Sequence, residues 1–99
     1  MADELFSWPP PATTVVNLKV DHFDVRIDRK TKWGNPFIVG RDGTREEVIQ
    51  QFADWIVEQP TLMAALHELK GKKLGCWCHP SPCHGQVLAR LADALPPKE

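Results

Sequence analysis

Between Lys72-Lys73 and a proline-bearing loop lies a short apolar run, Leu74-Gly75-Cys76-Trp77-Cys78. It is followed by His79-Pro80-Ser81-Pro82-Cys83-His84-Gly85 and then by an amphipathic stretch. A run so short and so apolar reads as a buried strand. The stretch after it reads as a helix: Val87, Leu88, Leu91 and Leu95 form one stripe, with Ser81 as cap, Pro82 at the first position and Pro96-Pro97 as the stop. A strand that follows earlier strands through intervening helices requires a right-handed parallel crossover. The expected fold is therefore α/β, a small single domain. It is Rossmann-like in its strand–crossover–strand logic, with a parallel or mixed sheet and flanking helices.

The rest of the chain fits that frame. Residues 1–12 carry Pro9-Pro10-Pro11 and read as a flexible tail, 13–95 as the domain, and 96–99 as a second tail. Thr13 to Val20 is β-branched and mostly apolar, and Phe23 to Arg29 alternates apolar with charged, so both read as strands. Phe37 to Val39 forms a third short strand or packs down as a loop. Thr44-Arg45-Glu46-Glu47 has the form of a capping box, after which Val48, Ile49, Phe52, Trp55 and Ile56 share a helical face. Pro60 ends that helix, and Thr61 is expected to cap a second with Leu62, Leu66 and Leu69 inward and Gly71 as its stop.

Composition excludes several classes. At 99 residues there is room for one core, and a formal charge of −1 lacks the basic excess of a duplex-DNA binder. The local cluster Arg26, Arg29, Lys30 and Lys32, interleaved with Asp24 and Asp28, reads as a solvated loop ahead of an anion-binding patch. No stretch has the apolar length of a membrane span, and the acidic, proline-rich start lacks the pattern of a signal peptide. Three cysteines suit a disulfide framework poorly. The expectation is a cytoplasmic protein with reduced thiols, in the host cytoplasm if phage-encoded.

All three cysteines, with His79 and His84, fall between positions 76 and 84. Three readings of that cluster stay open. Cys76, in mid-strand, reads as a small buried hydrophobe. Cys76, Cys78, Cys83 and His84 supply enough soft ligands for a tetrahedral zinc site. Cys83 and His84, in the first turn of a helix at the carboxyl end of a strand, suit an anion-binding or catalytic pocket. The expectation is no metal and no cofactor, because a mid-strand Cys76 is poorly placed to share a metal with the next helix. An anion is expected instead at the amides of Cys83 and His84, beside Cys78, His79 and Ser81. Cys83 is the candidate nucleophile, and His84 or His79 the candidate acid or base.

A second segment, Trp33-Gly34-Asn35-Pro36-Phe37, sets a flat aromatic beside a bidentate amide. Trp33 could stack on a ring and Asn35 read its edge. Equally, Asn35 could close its own turn while Phe37 seals the core. Asn17, following an apolar strand, must likewise find a protein or ligand partner if buried. Trp77 is expected to pack beneath a helix.

Val15-Val16-Asn17, Trp33 to Phe37 and Cys-Trp-Cys-x-Pro-x-x-Cys-His-Gly (Cys76 to Gly85), in that order, resemble a bacterial and bacteriophage family known as domain of unknown function 4326. The resemblance covers residues 13–95 and implies a phage or bacterial protein without assigning an activity. An acidic residue commonly follows Cys-His-Gly in that family; Gln86 stands there in this chain. The functional expectation is binding or processing of a phosphorylated or nucleotide-like small molecule, with Asn17, Trp33 and Asn35 recognising the part beyond the anion. Whether such a protein is an enzyme is left open. The alternative is a zinc-stabilised, non-enzymatic interaction module that binds a host protein.

Overall fold

Leu74 has no exposed surface, and the strand that carries it lies at the centre of the sheet. In the computed structural model, which describes residues 12–95, the strands are β1 (Thr14–Asn17), β2 (Val25–Arg26) and β3 (Lys73–Cys76). The helices are α1 (Arg45–Ile56), α2 (Pro60–Ala65), continued by a 3₁₀ turn over Leu66–Glu68, and α3 (His84–Asp93). The sheet order is β1-β3-β2, and β3 is parallel to both neighbours, with Val15 opposite Leu74, Asn17 opposite Cys76 and Val25 also opposite Leu74. The sheet is thus wholly parallel among the described residues, not mixed. The likeness to a Rossmann fold goes no further than a parallel sheet whose last strand is reached from β2 through helices. The two tails expected at the termini lie outside the described residues, apart from Ala12.

The two faces of β3 are covered differently. Leu74 and Cys76 point to one face and belong to a single core cluster with Ile27, Phe52, Ile56, Leu66, Leu69 and Leu88. Gly75 points to the other face, beneath the link from β1 to β2. A Cβ built there would lie 2.9 Å from Leu18 Cβ and 2.9 Å from Phe23 Cγ. The link can cross β3 this closely because position 75 has no side chain. It spans only residues 18–24, far less than the dozen or more of a usual parallel crossover.

Local chemistry explains the helix starts. Thr44 Oγ1 accepts from the Glu47 amide at 3.2 Å, and Glu47 Oε1 accepts from the Thr44 amide at 2.8 Å. This is the expected capping box, and Val48, Phe52 and Ile56 then bury one face. Pro60 opens α2 behind Gln59 rather than closing α1, which already ends at Ile56; Thr61 is therefore not its cap. Gly71 has φ of 75°, which suits its stop position. The expected strands are shortened to Thr14–Asn17 and Val25–Arg26. Val39 makes only an isolated bridge to Gly43, so Phe37 to Val39 packs down as a loop.

The ends of the domain are tied together. Asp93 Oδ1 accepts from both the amide and the hydroxyl of Thr13, at 2.9 and 2.7 Å, and Thr13 Oγ1 accepts from the Gly71 amide at 2.8 Å. Lys70 Nζ donates to the Ala92 and Asp93 carbonyls, both at 3.3 Å, placing a cation at the negative end of α3.

Candidate functional site

Strand β3 stops at Cys76, two residues earlier than the apolar run suggests. The chain then turns, with the Ser81 amide donating to the Cys78 carbonyl at 2.7 Å, and α3 starts at His84. Cys83, extended at φ −154° and ψ 176°, is its N-cap, and its Sγ accepts from the Gly85 amide at 3.3 Å. The cap expected at Ser81 and the first position expected for Pro82 are thereby displaced. The sulfur takes the amide that a hydroxyl would normally take, so Gly85 N–H is turned onto Cys83 rather than left to an anion.

Because the strand ends early and the loop doubles back, Cys76 and Cys83 meet. Their sulfurs lie 3.2 Å apart, and both residues are buried. Cys76, Cys83 and His84 each bring one ligand-type atom to within 4.8 Å of the others. This corrects the expectation that Cys76 is out of reach of the helix: an end-of-strand residue and an N-cap occupy the same end of the sheet. These three buried residues could hold a metal ion; Cys78 is not part of the cluster.

The electrostatics of the cluster are asymmetric. Cys83 accepts the Cys76 S–H, which holds its thiol below the ordinary range against the opposing effect of burial, with help from the Gly85 amide. The same hydrogen bond, reinforced by burial, pushes the Cys76 thiol up. His84 Nε2 lies 2.8 Å from the Ile27 carbonyl, which can only accept, so Nε2 carries the hydrogen and Nδ1 keeps its lone pair. Burial pushes His84 down, favouring the neutral ring, and the Phe52 ring packs edge-on at 5.1 Å.

Cys76, Cys78, Cys83 and His84 form one wall of a cleft of about 340 Å³. Its other walls bring in Arg29 and Lys30 from the loop after β2, Arg45 from the first turn of α1, and Asp28 and Trp77. Among the described residues Asp28 is the only acid on that lining. Its carboxylate already accepts from Arg26 Nε at 3.0 Å, Arg26 Nη2 at 2.8 Å and Trp77 Nε1 at 3.0 Å. The hydrogen bond from Arg26 holds it below the usual carboxylate range, and burial opposes that shift. Arg45 Nη1 reaches the Pro82 carbonyl at 3.2 Å, tying α1 to the cysteine loop, and Arg29 Nε reaches the Asn35 carbonyl at 3.2 Å.

The structure brings Asn35, Cys78, Cys83 and His84 together at this cleft and leaves other candidates elsewhere. Asn35 borders it, but its amide donates to the Val48 carbonyl at 3.1 Å and accepts from the Phe37 amide at 2.9 Å. Trp33 is 3 % exposed and packs in the core. Asn17 donates to the His79 carbonyl at 2.8 Å and accepts from the Lys19 amide at 2.9 Å, so it fixes the cysteine loop. His79 lines a separate shallow hollow beside Gln86 and Arg90. Ser81 is exposed and is not among the cleft residues.

Trp77 reverses its expected role. It is 53 % exposed, since the strand that would have turned it under a helix ends one residue before it. The sequence places neither Trp77 nor Arg45 at a site: one reads as a packed residue and the other as part of a helix start. The signal for Arg29 and Lys30 was present in the basic cluster after β2, but nothing local distinguishes a solvated loop from a cleft rim.

The matched segment of the chain contains this whole constellation: residues 14–94 fit the model of the family described as Domain of unknown function (DUF4326). The chain belongs to the DUF4326 family. A similar protein is the Uncharacterized 12.4 kDa protein in nrdA-td intergenic region of Enterobacteria phage T4, 41 % identical over 86 residues, covering 82 % of this chain and 78 % of that protein. Another is the Uncharacterized protein R718 of Acanthamoeba polyphaga mimivirus, 36 % identical over 69 residues, covering 62 % of this chain and 52 % of that protein. No solved structure matches this DUF4326 chain. Among its described residues no helix is long and apolar enough to cross a membrane.

Proposed function

We propose that this DUF4326 domain binds a phosphorylated or nucleotide-like small molecule in the cleft beside Cys83 and His84. One observation carries the reading: among the described residues three cations, Arg29, Lys30 and Arg45, border the same cleft, and the one acid there, Asp28, is already held by Arg26 and Trp77. Such a cleft has a net positive field, and guanidinium groups suit phosphate oxygens. The size is at the lower end of ordinary ligand pockets, roughly 300–1,000 Å³. Phe37, Ile49 and Trp77 supply apolar surface for the rest of the molecule. Calorimetric titration with nucleoside phosphates and sugar phosphates tests the reading. Binding that weakens with salt and with Arg45→Ala supports it; no binding by any of these compounds at millimolar concentration rejects it.

A second reading rests on the convergence of Cys76, Cys83 and His84. Two cysteines and a histidine form a known zinc ligand set that leaves a position open, and with Nε2 held by the Ile27 carbonyl, His84 would ligate through Nδ1, the usual arrangement of a supported metal ligand. In that reading zinc stabilises an interaction module. About one equivalent of zinc in protein purified without chelator, with a sharp fall in Tm on chelation, would favour it.

A further inference from the structure

Cys76 and Cys83 are more than a pair of core residues. Their sulfurs lie 3.2 Å apart with the Cys76 S–H directed at Cys83, and both residues border a cleft rather than a closed interior. A disulfide needs a sulfur separation of about 2.05 Å, so the pair is close to bonding distance as folded. The two positions are not equivalent. Cys83 receives two hydrogen bonds, from Cys76 and from the Gly85 amide at the positive end of α3, which mark it as the electron-rich sulfur. Cys76, at the end of β3, is the donor. Cys78 borders the same cleft and is half-buried, but it is not hydrogen-bonded to either sulfur among the described residues.

We propose that Cys76 and Cys83 form a dithiol–disulfide couple that gives up two electrons to a hydroperoxide entering the cleft. The Cys83 thiolate attacks one oxygen of the hydroperoxide. The O–O bond breaks, the alkoxide (or hydroxide) leaves and takes up, by way of water, the proton that Cys83 released on becoming a thiolate, and Cys83 becomes a sulfenic acid. The Cys76 sulfur then attacks the Cys83 sulfur. The S–O bond breaks as the S–S bond forms, and the Cys76 proton leaves with the departing hydroxide as water. Two thiols and one hydroperoxide thus give one disulfide, one alcohol (or water) and one water. A small dithiol returns the couple by two successive exchanges. This chemistry is independent of what anion the cleft binds.

The test treats the full-length chain with hydrogen peroxide, with and without prior chelation. Free thiols are labelled with one alkylating reagent before reduction and with an isotopic form after it. The expected result is loss of Cys76 and Cys83 together, survival of Cys78 in the free form, and full recovery with dithiothreitol. Cys83→Ser should slow the loss of Cys76 by about tenfold or more. Cys76→Ser should leave a Cys83 sulfenic acid that a dimedone probe captures. The wild-type labelling pattern stands without either variant, should one fail to fold. Three results overturn the couple: all thiols surviving peroxide, Cys78 entering the bond in the native protein, or both thiols reacting only after a bound metal is removed.

Discussion

The two motifs most conspicuous in the sequence, Trp33 to Phe37 and Cys76 to Gly85, end up in opposite roles. In the first, the polar atoms are consumed by the fold. Asn35 is hydrogen-bonded at both ends of its amide, Trp33 is in the core, and Gly34 sits where a Cβ would lie 2.5 Å from Arg29 Cα. In the second, three thiols and a neutral imidazole face a cleft; Cys76 bonds Cys83, and the backbone engages Cys83 through the Gly85 amide and one ring nitrogen of His84. The lesson is that chemically capable residues do not make a site unless their reactive atoms are left over after folding. From the Trp33 to Phe37 segment Asn35 and Phe37 reach the cleft lining, but the Asn35 amide is spent on Val48 and Phe37, and Trp33 stays in the core. The cysteine segment forms a wall of the cleft.

The contrast breaks first at Gly34. Gly34→Ala would force backbone atoms of residues 28 and 29 apart, with Asp28 O also at 2.9 Å from the added carbon, so a loss of about 3 kcal/mol or more is expected. A denaturant midpoint near wild type would show that the backbone there yields without cost. Asn35→Ala should cost about 2 kcal/mol, since the Phe37 amide loses its acceptor and the Val48 carbonyl a donor. If it instead left Tm unchanged and abolished ligand binding, Asn35 would move to the cysteine side of the comparison.

Changes on the cleft side should alter binding more than stability. Lys30 is exposed and forms no salt bridge among the described residues. Lys30→Ala is expected to weaken phosphate-ligand affinity by about tenfold while shifting stability by less than about 0.5 kcal/mol. Equal losses of both, measured by titration and by melting, would count against the cationic rim. The smallest effect concerns pH. Because burial holds His84 below its ordinary value, the unfolded chain takes up that proton first. The stability contributed by the neutral ring is present above the unfolded histidine value, near pH 6.5, and is lost as pH falls toward the folded value. Stability curves at a series of pH values should decline over that window for wild type and be flatter for His84→Gln. A curve equally steep in both would remove His84 as the cause.

Much of the architecture could be read from the chain because it rests on local rules. The Thr44–Glu47 box needs only residues three apart, and Leu88 with its flanking Val87 and Leu91 needs only helical spacing. Strand β3 was legible as a short apolar run between charge and proline, and its parallel pairing followed from the helical crossover. Where local rules competed, the reading slipped. Cap preference points to Ser81, but the Ser81 N–H closes a turn on the Cys78 carbonyl and the helix starts later, behind Cys83.

From spacing along the chain alone came the α/β class, the order of the main strands and helices, and, through three motifs in order, the family; the choice between a parallel and a mixed sheet did not. The tertiary structure alone decided that Trp77 is exposed and Trp33 buried, that Arg29, Lys30 and Arg45 meet at one cleft, and that Cys76 lies against Cys83. The physical reason is the same in each case. A side chain's chemistry is local, but whether its reactive atom is free depends on which distant backbone group folding brings beside it. For Asn35 that group is the Val48 carbonyl; for His84 it is the carbonyl of Ile27.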